Sequence, residues 1–109
     1  MFKEIVKEIG RLNSKDQASH SERMCKVVEE IGELAQAVNR TTGRKILKEK
    51  DTVESMNENL LEEGVDSIQC IISLLKGYGY DHKDILKKMK QKNKVWENVI
   101  EKKKKIKKK

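Results

Sequence analysis

Apolar residues recur three and four positions apart through almost the whole chain, and no stretch alternates with the period of two that a strand requires. Phe2, Ile5, Val6, Ile9 and Leu12 predict a first helix over about 2–12. Residues 13–21 are polar and predict a loop. Its end carries a helix-start signal, Ser19 followed three residues later by Glu22, the pattern of a capping box. A second helix is predicted over about 20–40, where Met24, Val27, Val28, Ile31, Leu34, Ala35 and Val38 fall within ~60° of one line at ~100° per residue. That stripe is expected to face the core. Gly43, after two threonines, is expected to end the helix in a left-handed conformation. Residues 44–50 form a charged connector.

A third helix is predicted over about 51–77, with Asp51 or Thr52 as its cap. From Leu60 onward it is apolar on most of its circumference, through Leu61, Val65, Ile68, Cys70, Ile71, Ile72, Leu74 and Leu75. A helix apolar nearly all round is buried nearly all round. One chain of 109 residues supplies too few helices to cover it, so a partner subunit is expected. Gly77-Tyr78-Gly79 breaks the helix. A fourth begins near Asp81 and carries Ile85, Leu86, Met89, Val95, Trp96 and Ile100. The expected fold is all-α, a four-helix bundle-like protomer completed by oligomerisation, with residues 1–101 forming one domain.

Charge changes the picture mainly by its position. The chain has 25 basic and 18 acidic residues, a net +7, and seven of the lysines lie in the last eight residues, KKKKIKKK. Residues 1–101 are therefore neutral as a body, and 102–109 are expected to be a lysine-rich tail, disordered or a frayed helix end. The tail is expected to bind nucleic acid only weakly, if at all. The charged first helix argues against a signal peptide, and no uncharged stretch approaches the ~20 residues of a membrane span, so no membrane partner is expected. Cys25 and Cys70 lack metal-ligand or redox spacing; they are expected to be small buried apolar residues in a reducing, cytoplasmic compartment. His20 and His82 sit at capping-type positions and are read as surface residues. The absence of GxxxxGK[ST] excludes a P-loop enzyme.

The candidate chemistry is carried by carboxylates. Glu29, Glu30 and Glu33 form one cluster on the second helix; Glu62, Glu63 and Asp66 form another on the third. Carboxylates at i and i+3 project from one side of a helix and repel each other. Those on the third helix stand among apolar residues, where a charge must neutralise, pair or bind metal. A hard divalent cation with oxygen ligands offsets both costs, which makes Mg²⁺ the expected cofactor, with Mn²⁺ as the alternative. Gly32 and Gly64 each follow a cluster glutamate and suggest a close approach of the two helices there.

The segments VVEEIGELAQAV (27–38) and LLEEGVDSIQCIISL (60–74) resemble the paired motifs of the MazG-like all-α nucleoside triphosphate pyrophosphohydrolases. Glu29-Glu30-x-x-Glu33 matches the first motif, including its Leu34-Ala35 continuation, and Glu63-x-x-Asp66 matches the second. Gly64 stands where the family often has leucine, and the insert between motifs is long. The resemblance implies Mg²⁺-dependent hydrolysis of a nucleoside triphosphate between its α and β phosphates, giving the monophosphate and pyrophosphate. Removal of non-standard nucleotides is the family-level role. It implies Glu30, Glu33, Glu63 and Asp66 as metal ligands, with one of these, Glu29 or Glu62 orienting or deprotonating the attacking water. It further implies that Lys90, Asn93 and Lys94 contact the substrate's phosphates, and that the protein is a homo-oligomer, a dimer or a tetramer. The alternative from another class is an inactive helical scaffold, or a nucleic-acid-associated module using the basic tail.

Overall fold

The computed structural model describes residues 1–43 and 51–107. They form four helices: α1 (Phe2–Lys15), α2 (His20–Thr41), α3 (Val53–Gly77) and α4 (His82–Lys107). No strand occurs among the described residues. The charged connector expected over 44–50 lies outside the described residues.

Local chemistry sets the helix ends. Ser19 accepts a hydrogen bond from the Glu22 backbone while the Glu22 side chain accepts from the Ser19 N–H, so the capping box expected from the sequence is formed. Such a cap contributes about 1 kcal/mol. Thr52, one of the two residues expected to cap α3, does so through a reciprocal pair with Ser55. Asp81 and Asp84 make the same exchange at the start of α4. Gly43 after α2 has φ 74° and Gly79 after α3 has φ 94°, conformations that side chains with a Cβ rarely adopt.

The main packing pair is α2 against α3. They run antiparallel: Arg40 at the end of α2 pairs with Asp51 ahead of α3, while Arg23 near the start of α2 reaches Ser73 near the end of α3. α1 lies across the second half of α3 and α4 rests on α1. A small core joins the three, with Val6, Ile72 and Ile85 buried together and Ile9 and Leu75 packed around them.

The line of α2 that meets α3 differs from the expected one. Arg23, Val27, Glu30 and Ala37 are buried, with Leu34 half-buried between them. Met24, Val28, Ile31 and Val38, four members of the predicted stripe, are exposed. The contact line is rotated by ~80° from the centre of the stripe, with Val27 and Leu34 common to both. Apolar periodicity marks which face leaves water, and it does not say whether a helix of the same chain covers it. The same holds on α3, where Leu61, Val65, Ile68 and Ile71 are exposed. The chain does not close into a sphere: its radius of gyration is 17.8 Å, against about 13 Å for a compact domain of this length.

One further expectation is narrowed and two are corrected. Residues 102–107, expected to be disordered or a frayed helix end, continue α4 as helix. Lysine is a good helix former, no glycine or proline interrupts the run, and cations favour a helix C-terminus. Cys25 is exposed instead of buried. Gly32 and Gly64 do not mark a close approach, since a Cβ at either would meet nothing within 4 Å.

Candidate metal centre

Glu30 lies inside the α2–α3 seam, between Val27 and Leu34 in the line that faces α3. It is only 6% exposed, although it is charged. On α3, Glu63 is half-buried and Asp66 is exposed. Ser67, buried one turn beyond Glu63, donates its hydroxyl to the Glu63 backbone carbonyl at 2.9 Å, so it spends its proton within its own helix.

The seam brings the two sequence clusters together. Glu30, Glu63 and Asp66 place carboxylate oxygens within 4.8 Å of one another, and so do Glu29, Glu30 and Glu33. Glu30 belongs to both groups and is the hub. All five carboxylates named from the two motifs thus converge; Glu62 is not part of either group. Lys26 is the residue that sequence reading missed. Its ammonium lies 3.1 Å from Glu30 and 3.6 Å from Glu29. Its spacing, four and three residues before those glutamates on one helix, was the available signal.

Lys26 does not satisfy the cluster. One oxygen of Glu30 and one of Glu63, both Oε2, are buried with no hydrogen-bond partner. Buried acceptors left in this way cost about 1–3 kcal/mol each, more when charged. The crowding also raises the pKa of Glu33 above its ordinary value. The negative charge of Glu30 is the largest cause, followed by a hydrogen bond to Glu63 that only the protonated form supplies. Glu30 pairing raises the Lys26 pKa. Cys70, one turn past Asp66, has its thiol pushed up by burial and by Glu30.

The donor set consists only of carboxylate oxygens, which suits a hard cation such as Mg²⁺ or Mn²⁺ and not a thiolate-seeking one. Such an ion, when bound there, would partner the two orphaned oxygens. The residues therefore fit the cofactor that the motifs imply.

The Glu33 shift has a testable consequence for the metal-free protein. A carboxyl with a raised pKa in the folded state destabilises the fold once it ionises, so stability is lost as pH rises above 4.5 through the raised value. His82 opposes this trend: its pKa is lowered by burial and by Lys7, so its contribution is lost as pH falls below 6.5. Comparing Glu33→Gln with the parent chain isolates the carboxyl. In EDTA at pH 7 the variant is expected to melt at a higher temperature, with the gap closing below pH 4.5. Thermal denaturation across that range is the measurement, and added Mg²⁺ is expected to remove the advantage.

The substrate-binding residues expected on the fourth helix are placed elsewhere. Lys90, Asn93 and Lys94 are exposed on α4, whose backbone packs on α1 and not on α2 or α3. Within one chain they do not meet the carboxylates. His20 stacks on Tyr78 with ring centroids 3.9 Å apart and is exposed as expected. His82 is half-buried, with Nε2 enclosed and unpartnered. A cavity of about 540 Å³ between the end of α3 and the start of α4, lined by Leu75, Tyr80, Asp84 and Ile85, shares no residue with the carboxylate cluster.

Compared with models of known families, with curated proteins and with solved structures, the chain finds no match.

Proposed function

We propose that the chain is a Mg²⁺-dependent nucleoside triphosphate pyrophosphohydrolase of the MazG-like all-α type, cleaving a (d)NTP between the α and β phosphates. One observation carries the reading. The carboxylates of both motifs, 30 residues apart in sequence, converge on Glu30, and two of their oxygens are buried without a partner. A solvated charged face would leave no such atoms.

Glu30, Glu33, Glu63 and Asp66 would hold the ion, which when bound neutralises phosphoryl charge and lowers the pKa of water. Glu29, exposed beside Glu30 and held by Lys26 at 3.6 Å, would orient the attacking water from that position. Lys26 would hold the Glu29 and Glu30 carboxylates in register from one turn earlier on α2. Lys90, Asn93 and Lys94 would reach the phosphates of a site in another subunit.

A homo-oligomer is part of the reading. The exposed apolar residues of α2 and α3 lie on the side of the hairpin opposite the carboxylates, as the ~100° spacing along each helix places them. A second copy covering Met24, Val28, Ile31, Leu61, Val65 and Ile68 would leave the carboxylate side open to substrate. No helix among the described residues is long and apolar enough to cross a membrane. The two free thiols suit a reducing compartment, and a cytoplasmic location is proposed on that ground.

The test is incubation with a panel of canonical and modified nucleoside triphosphates in the presence of Mg²⁺. Monophosphate and pyrophosphate in equal amounts are the expected products. Release of orthophosphate would overturn the cleavage position, and an absence of turnover on every nucleotide would favour the inactive scaffold.

A further inference from the structure

α4 is a helix of 26 residues, about 39 Å long, and every residue from Lys87 to Lys107 is exposed. Only its first turns are held, through Ile85 between Val6 and Ile72. The free part joins an apolar line to a large surplus of lysines. Ile85, Met89, Trp96 and Ile100 fall within about 30° of one line at ~100° per residue, with Val99 on its flank. Lys83, Lys87, Lys90 and Lys94 lie more than ~100° from that line, Lys88, Lys92 and Lys104 flank it, and Lys103 and Lys107 fall on it near the end of the helix. Trp96 is 66% exposed, and Met89, Val99 and Ile100 are exposed with it.

The helix carries eleven lysines against three carboxylates, Asp84, Glu97 and Glu101. The net +7 of the chain is thus more than accounted for by α4, and residues 1–81 are net acidic. The exposed ion pairs Lys94–Glu97 at 3.7 Å and Lys104–Glu101 at 3.8 Å neutralise little of it.

We infer that α4 docks the protein on an anionic lipid surface, lying in the plane of the interface with Met89, Trp96, Val99 and Ile100 in the acyl boundary and with Lys92 and the lysines of 102–107 at the headgroup phosphates. Such a surface answers both features at once: it takes up the apolar stripe, and long lysine side chains extend to the phosphates around it. A nucleic acid would engage the lysines and leave the apolar stripe in water. The α4 of a second copy would meet this one with eight net positive charges against eight. Docking of this kind differs from spanning, for which the helix is too charged.

Trp96 is the only tryptophan in the chain and reports directly on the inference. The full chain is titrated with vesicles of phosphatidylcholine alone and of phosphatidylcholine with phosphatidylglycerol, at low and high salt. A blue shift of Trp96 emission and co-flotation are expected with the anionic vesicles only, weakening as salt rises. Each lysine near an anionic surface contributes roughly fivefold, so glutamine at 102–105 is expected to weaken vesicle binding several-hundredfold. Turnover of nucleotide in solution should be unchanged in that variant, which separates this test from the fate of the proposed activity. Val99→Asp with Ile100→Asp should abolish both the shift and flotation; far-UV circular dichroism checks that the helix remains.

The following results would overturn the inference. The first is equal binding to neutral vesicles. The second is anionic-vesicle binding that survives the aspartate pair without any Trp96 shift. The third is a Trp96 shift that rises with protein concentration in the absence of lipid, or binding to a DNA duplex while vesicles are ignored.

Discussion

Replacing Glu63 with glutamine is expected to lower Mg²⁺-dependent turnover on the order of 10³-fold while leaving the helices folded. The substitution keeps the volume of the side chain and removes one negative charge. If Glu63 and Glu30 hold the ion from opposite helices, loss of one charged ligand weakens the stabilisation of charge developing on the phosphoryl oxygens. A loss of 10³-fold corresponds to about 4 kcal/mol of transition-state stabilisation, a magnitude ordinary for a preorganised electrostatic contact. Glu30→Gln should behave alike, since Glu30 is common to both carboxylate groups. Asp66→Asn should follow the same direction.

Stability distinguishes a ligand from a structural prop. Glu30 and Glu63 each bury an oxygen without a partner, so neutralising either is expected to leave the metal-free melting temperature unchanged or raised. The parent chain should gain stability from Mg²⁺ by mass action, and both variants should lose most of that gain. Steady-state rates against Mg²⁺ concentration, with melting curves in EDTA and in Mg²⁺, give both readouts. Near-normal turnover in Glu30→Gln and Glu63→Gln together would refute the metal centre.

Much of this architecture is legible in the chain, and the illegible part has a common cause. The four helices follow from 3.6-residue periodicity, and the Ser19 and Thr52 caps from side chains able to accept a backbone N–H. Carboxylate positions on α2 and α3 suffice to put Glu30 near the neighbouring helix. What periodicity cannot supply is the partner of each face. On α2 the apolar stripe through Val28 and Ile31 turns out not to be the α3 contact, because a line containing Arg23 and Glu30 packs there instead. Polar residues in that line are stable only through specific partners, and partners far apart in sequence leave no local pattern. The same limit applies to charge: the lysine run reads as a separate tail, whereas it closes a helix whose first half already carries six lysines.

Substituting alanine for Arg23 is expected to cost about 3 kcal/mol, through a network that no local pattern announces. Arg23 is buried at the start of α2, and among the described residues no carboxylate pairs with it. Its guanidinium instead donates to the Ala18 carbonyl at 3.3 Å, the Asp16 carbonyl at 2.8 Å and the Ser73 hydroxyl at 3.0 Å, and to the side chain of Asn13. Asn13 in turn donates to the Ser73 carbonyl at 2.6 Å and accepts from the Ser73 hydroxyl. One side chain thus fastens the end of α1 and the turn after it to the last part of α3. Removing it leaves backbone carbonyls and the Asn13 amide oxygen short of a donor, besides opening a cavity. For a domain of this size the loss corresponds to a fall of roughly 10–20 °C in melting temperature. Arg23→Lys should recover only a minor part, because an ammonium cannot fill the planar fork that serves four partners. Glu30 lies seven residues further along α2, about 10 Å away, so the folded fraction of Arg23→Ala should keep its affinity for Mg²⁺. Urea denaturation of the three chains checks the order. A loss below about 1 kcal/mol for alanine, within the range of a single neutral hydrogen bond, would mean that apolar contacts between α1 and α3 hold the turn without Arg23.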